Sequence, residues 1–382
     1  MQDSRRIEEL DGLRGVSIAL VLIYHYFVLH AETQLGSPAA YLQQYMHISL
    51  AGVDMFFVLS GFLLGGVLLD QRRGENFFRV FYLRRALRIL PPYVLFLILF
   101  AVALALGPST GYPRIGWLLD DPFPFWTYVL NVQNFLMAAE GRFGPHFAGI
   151  TWSLAVEEQF YLLFPLLVYW CSPRLFPAVV IALVCTAPVL RVTLYFLAPE
   201  GALAGFVLLP SRWDSLLLGV LAAWTIRNDG ARRWVNEHEL PLRGAFFIAV
   251  VGVALLPVFR ATQFSLGMAL YGHFIIAVAI ALLLVHISRG QLPGIRQLLR
   301  FGPLCFLGRI SYTVYLLHQA VRGSLAVLIL DGRLSIASLG DFMAMLLALA
   351  ITILLAVATW YSFEARLIRF GHRFRYRSSV PQ

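Results

Sequence analysis

The sequence predicts an all-α, polytopic membrane helical bundle of about ten transmembrane helices, with both termini cytoplasmic. Three observations predict it. Of 382 residues, 59% are hydrophobic and only 13% are charged, where soluble domains carry about 25% charged residues; the mean hydropathy is +0.73. Ten apolar stretches can be marked, near 13–30, 50–70, 92–107, 153–171, 176–196, 206–226, 244–259, 267–287, 306–330 and 340–362, against the roughly 17–25 residues that cross a bilayer. Arginine is distributed unevenly between them. The terminal segments and even-numbered loops hold 21 of the 30 arginines, and the other loops hold only Arg114, Arg142, Arg260 and Arg333. Basic residues collect on the cytoplasmic side.

In chain order, the first stretch is interrupted by Arg14 and followed by no small-residue cleavage site, so it is expected to stay as a span. The third is short and is expected to begin earlier, with a bend at Pro91-Pro92. Residues 108–152 form the one long connection, rich in Pro, Gly and aromatics ("DDPFPFWTYVLNVQNFLM") and too polar in its middle for a span. Trp170, Trp224, Trp360 and Tyr361 lie near span ends, where aromatic side chains anchor at the interface. Residues 1–382 read as a single membrane domain with a core of about 8–365 and a basic cytoplasmic tail, 366–382. The net charge of +9 comes wholly from arginine, since the chain has no lysine. Such basicity points to topology and lipid headgroups, not to nucleic acid. Cys171, Cys185 and Cys305 lack metal or disulfide spacing and read as small core residues.

Ionisable residues inside a bilayer cost several kcal/mol unless paired or hydrated, so each is a functional candidate. His25 lies about 18 Å into a core of roughly 30 Å. Arg14 precedes it by eleven residues, about three turns plus 20°, which puts both side chains on nearly one helix face some 16 Å apart. Asp54, Glu157, Glu158, Arg212, Asp214 and His273 fall near outer span ends; Arg191 and His318 lie deep within theirs. Asp54 has no cation in its own helix and must pair across helices. Glu157 shares a face with Ser153 and Tyr161 and is favoured over Glu158. Each has a plainer reading. Arg14 is also a positive-inside anchor, His25 and His318 are also core histidines, and Arg212 and Asp214 are also structural ion partners. His30, His47, His146, His238, His286 and His372 need no role. A second basic group, "RVFYLRRALRILPPY" (79–93), carries Arg84, Arg85 and Arg88. Guanidinium forks grip phosphate oxygens bidentately, although lipid headgroups satisfy them equally.

Five stretches together resemble the acyltransferase-3 family of integral membrane acyltransferases. "LDGLRGVSIALVLIYH" matches its opening arginine–histidine pattern. "GVDMFFVLSGFLL" resembles its second-helix motif and "YLRRALRILPPY" its arginine motif. "WSLAVEEQFYLLFP" is similar to its fourth-helix motif, and "LGRISYTVYLLHQAV" to its late Ser-Tyr/His motif. The resemblance runs in order from about residue 8 to 365. It implies transfer of an acyl group, usually acetyl from acetyl-CoA, to a hydroxyl of a surface glycan or small molecule. It also implies that Arg14 and His25 are needed and that Arg85 and Arg88 form the arginine motif. Some relatives carry a fused periplasmic esterase-like domain; none is expected here, which leaves room for a periplasmic partner.

The expectation is therefore a multi-pass enzyme of the inner or plasma membrane. Arg84, Arg85 and Arg88 would hold the phosphates of acyl-CoA at the cytoplasmic face, with Arg14 at the mouth of the bundle. His25 would act as general base or nucleophile, oriented by Asp54, Glu157 or Glu158, with His318 assisting proton transfer. No metal is required. The rivals are a transporter of a small polar solute, a lipid-modifying acyltransferase and a non-catalytic scaffold.

Overall fold

The computed structural model describes residues 8–33, 37–107, 115–198, 200–330, 332 and 334–377. Of the arginines used for topology, Arg5, Arg6, Arg114 and Arg333 lie outside these residues. All ten stretches are helical. The main helices are α1 (Glu8–Ile23), α2 (Ala51–Gln71), α3 (Phe77–Leu106), α4 (Thr151–Trp170) and α5 (Phe176–Leu197). They continue with α6 (Leu209–Thr225), α7 (Glu239–Leu255), α8 (His273–Ser288), α9 (Gly302–Ile329) and α10 (Leu339–Thr359).

Among the described residues, seven helices are long and apolar enough to cross a membrane. They become eight if Asp229–Glu237 and α7, bent by 82°, count as one span. The remaining two stretches, α4 and α9, are long enough but fall outside that set. They carry Glu157, Glu158 and Gln159, and His318, Gln319 and Arg322, in place of apolar residues. As expected, α3 begins before residue 92, and it runs through both prolines as one helix. The described part of the long connection holds three short helices, Ile115–Leu119, Phe125–Val129 and Gln133–Glu140.

Among the described residues, three π turns interrupt the α-helical register: Tyr24–Val28 after α1, Met268–Gly272 before α8, and Trp360–Glu364 after α10. His25 lies within the first, His273 follows the second and Glu364 ends the third. A π turn adds a residue to the turn, a feature frequent at functional sites. Arg14 lies in α1 and His25 is the second residue of the π turn that follows it.

The chain divides into two compact units: residues 1–24, 33–67 and 171–311, and residues 25–32, 68–170 and 312–382. In the first unit, helices approach at glycine. A methyl group on Gly61 would overlap the carbonyl oxygen of Leu216, and one on Gly219 would overlap that of Val58, so α2 and α6 meet backbone to backbone. Gly15 and Gly308 meet Leu304 and Asp11 in the same reciprocal way. Small residues give membrane helices the close van der Waals packing that the bilayer does not supply by hydrophobic force.

In the second unit, side-chain bonds to the backbone fix the connection. Tyr93 donates to the Tyr128 carbonyl at 2.7 Å, and Gln133 Nε2 donates to the Thr151 carbonyl at 2.9 Å. Gln159 Nε2, from α4, donates to Asn131 O at 2.9 Å and Asn134 Oδ1 at 2.8 Å. A capping box of Ser338 and Asp341 starts α10.

Gly61→Leu should separate α2 from α6 and lower the unfolding temperature in detergent sharply. Gly244→Ala, where an added methyl group meets nothing within 4 Å, should be neutral or stabilise by up to about 1 kcal/mol. Equal effects would contradict the packing account.

Candidate active site

The second unit gathers a polar interior from α3, α4, α9 and the first π turn. The late part of α9 presents Tyr315, His318 and Arg322, spaced by three and four residues and so sharing a face. The His318 ring is fully buried, and its Nδ1 lies 2.6 Å from the Tyr315 carbonyl oxygen. A carbonyl only accepts, so Nδ1 carries the proton and Nε2 presents a lone pair. That Nε2 is buried with no hydrogen-bond partner among the described residues. The ring of His25 stands edge-on to it, 4.8 Å between centroids at 63°. Tyr26, next to His25, donates to the His318 carbonyl at 3.0 Å. These bonds hold the His318 ring and its backbone.

Ser153 of α4 shares a 2.6 Å hydrogen bond with the Tyr315 hydroxyl. One turn along α4, Glu157 acts electrostatically on Tyr315 and on Glu158, and the charge of Arg85 acts on Glu158. The Arg85 guanidinium lies over the Tyr161 ring at 5.2 Å and the Phe81 ring at 5.9 Å. Arg88 acts on Glu364. Both glutamates thus interact with groups of this unit, Glu157 with Tyr315 and Glu158 with Arg85.

The unit also holds a group that the sequence reading missed. Arg322 is fully buried. Its Nη2 donates to the Leu334 carbonyl at 3.3 Å, its Nε lies 3.4 Å from the Met345 sulfur, and its Nη1 has no hydrogen-bond partner among the described residues. His30 and His146, both expected to need no role, interact electrostatically with Arg322 and with His25. Burial pushes the His146 imidazole down to about 3, with the positive charge of Arg322 as the next cause. The signal for Arg322 was present in the sequence, four residues after His318 on one helix face.

Three further expected site residues have contacts of their own. Arg84 donates through Nε and Nη2 to the Phe374 carbonyl, at 2.9 and 2.5 Å, and lies 5.1 Å from the Tyr376 ring, so it ties the C-terminal segment to α3. Arg14 lies in the first unit, 3.9 Å from Asp11. Asp54, also there, accepts from Arg212 Nη2 at 2.7 Å, Ser215 Oγ at 3.0 Å and His273 Nδ1 at 3.0 Å. Asp54 is 1% exposed, and these are its hydrogen-bond partners within the first unit. Asp214 accepts from Arg191 Nη2 at 2.8 Å, and Arg191 also donates to the carbonyls of Ala269 and Ser211. Cross-helix pairing was the expectation for Asp54, and ion pairing was the plainer reading of Arg212 and Asp214. Removing one member of such a buried pair costs about 3–5 kcal/mol. Asp54→Ala should accordingly destabilise the protein by that order in a thermal unfolding assay; a variant as stable as the parent would contradict the ion-pair role.

The sequence profile of the acyltransferase domain of the acyltransferase-3 family matches residues 7–361. The chain is 27% identical over 335 residues to the O-acetyltransferase OatA of Staphylococcus aureus strain NCTC 8325 / PS 47, covering 84% of this chain and 51% of that protein. It is 26% identical over 332 residues to the Bacillus subtilis protein named "Putative peptidoglycan O-acetyltransferase YrhL", covering 84% of this chain and 49% of that one. The chain thus spans about half the length of these curated relatives. No solved structure matches it. With the profile covering nearly its whole length and the motifs of α1, α3, α4 and α9 in order, the chain belongs to the acyltransferase-3 family of membrane acyltransferases.

Proposed function

We propose that the chain is an O-acetyltransferase of the inner or plasma membrane. It moves an acyl group, acetyl in the first instance, from cytoplasmic acyl-CoA to a hydroxyl of an envelope glycan. The single observation that carries the catalytic part is the His318 tautomer. A buried imidazole whose Nδ1 is committed to a backbone carbonyl keeps Nε2 as a base. The relatives named O-acetyltransferases support the acetyl group, and the relative named for peptidoglycan supports a glycan acceptor.

The acceptor hydroxyl gives its proton to His318 Nε2 as its oxygen bonds to the acyl carbonyl carbon. The carbon–sulfur bond breaks, and the imidazolium returns the proton to the departing thiolate of CoA. His25, 4.8 Å away, is the alternative acceptor of the acyl group, which would make the reaction two transfers through an acyl-imidazole. Glu157 and Glu158 stabilise positive charge as it develops nearby. Arg322 offers an unpaired N–H to the oxyanion of the tetrahedral intermediate, a group of the kind that gains most strength where water is excluded. Arg85 and Arg88 hold the donor side. Arg14 belongs to the first unit, and its assignment to the donor rests on the family pattern alone. The polar interior of the second unit favours this enzyme over a transporter, because it positions an oriented base and not only charges.

His318→Gln and His25→Ala, each checked for folding, should lower transfer of labelled acetyl from acetyl-CoA to envelope glycans by about 10²–10⁴-fold. Near-parental turnover in both variants would refute the assignment. Arg85→Ala should raise the KM for acetyl-CoA with a smaller change in kcat, and Arg85→Lys should recover only part of it because a bidentate grip is lost. A loss confined to kcat would contradict a donor-binding role.

A further inference from the structure

A second site lies on the opposite side of α3 from Arg85. Asn76, Arg79, Val80 and Leu83, with Arg373, Phe374, Arg375 and Arg377 of the C-terminal segment, line a cavity of about 410 Å³. Among the described residues, four guanidiniums and no carboxylate line it. At about 100° per residue, Asn76, Arg79, Val80 and Leu83 share one face of α3, and Arg85 leaves about half a turn away. The cavity is therefore not an extension of the proposed donor site.

Its walls are built by specific bonds. Asn76 Nδ2 donates to the Arg375 carbonyl at 3.0 Å, and the Arg377 N–H donates to Asn76 Oδ1 at 2.9 Å. The Glu75 N–H donates to the Arg377 carbonyl at 3.2 Å. Arg84 clamps the Phe374 carbonyl from the neighbouring face. The C-terminal segment is thus held against the start of a 30-residue spanning helix. Its arginines face one space, and Val80, Leu83 and Phe374 supply an apolar side to it.

We propose that this cavity binds the phosphate headgroup of an anionic phospholipid. Three features select that occupant. Clustered guanidiniums without a carboxylate call for a phosphate-bearing anion. The apolar wall suits the glycerol and upper acyl region of a lipid. The place is the end of a spanning helix, where headgroups are found and where basic pockets between helices take acidic lipids. A nucleotide phosphate shares the anionic chemistry but not the apolar wall or the membrane position.

The test uses the full chain in nanodiscs of phosphatidylcholine with a small fraction of phosphatidylglycerol or cardiolipin, read by native mass spectrometry of retained lipid. Parental protein should retain the anionic lipid selectively. The double variant Arg79→Gln/Arg375→Gln should retain it about thirtyfold less, with an unchanged unfolding temperature in phosphatidylcholine alone. Arg79→Lys/Arg375→Lys should keep most of it. Lipid retention equal to the parent in the glutamine variant overturns the proposal. So does adenosine 3′,5′-bisphosphate binding in phosphatidylcholine discs that the glutamine substitutions abolish, because that identifies the occupant as a nucleotide.

Discussion

The hydrogen bond between His318 Nδ1 and the Tyr315 carbonyl is the constraint on which the proposed chemistry depends. An imidazole free to exchange tautomers offers a base only part of the time. Here a carbonyl of the same helix, 2.6 Å away, takes one nitrogen and leaves the other as an acceptor. The bond is local, three residues back along α9, so it forms with the helix itself. The more distant elements hold the helix in place: Ser153 of α4 bonds Tyr315, and Tyr26 bonds the His318 carbonyl. His25 then meets the ring edge-on from a π turn.

Polar groups in the chain sort into two kinds of network. Around Asp54 and Asp214, opposite charges are matched across helices, with further bonds from Ser215, His273 and backbone carbonyls. Such a set locks helices and is electrically balanced. Around His318 the hydrogen bonding is incomplete. His318 Nε2 and Arg322 Nη1 are buried without hydrogen-bond partners among the described residues, and so are the Nε2 atoms of His30 and His146. Buried polar atoms left unpaired are costly, and those of His318 and Arg322 share one face of α9, which supports the proposed role of that face.

Much of the architecture was legible because a bilayer imposes length and apolarity on every spanning helix. Each of the ten apolar stretches is a helix. The two that miss the apolar standard, α4 and α9, are those that bring Glu157, Glu158, His318 and Arg322 inside, so the residues that matter for chemistry also dilute the signal. The pairing of Asp54 across helices followed from the lack of a cation nearby in sequence, but its partners Arg212 and His273 lie 158 and 219 residues away, beyond any periodicity argument. The shared face of Arg14 and His25 was read from uniform α-helical rotation, and His25 lies at the start of a π turn that no sequence periodicity announces. Arg84 looked like its neighbours Arg85 and Arg88, and only the fold separates it, by turning the C-terminal carbonyl of Phe374 toward it.

The most direct test of the central claim is nitrogen-15 NMR of histidine-labelled protein in bilayers, assigned by comparison with His318→Gln. The account predicts a neutral His318 ring with a protonated Nδ1 and a bare Nε2. A ring protonated on Nε2, as the other tautomer or as imidazolium at neutral pH, would contradict it.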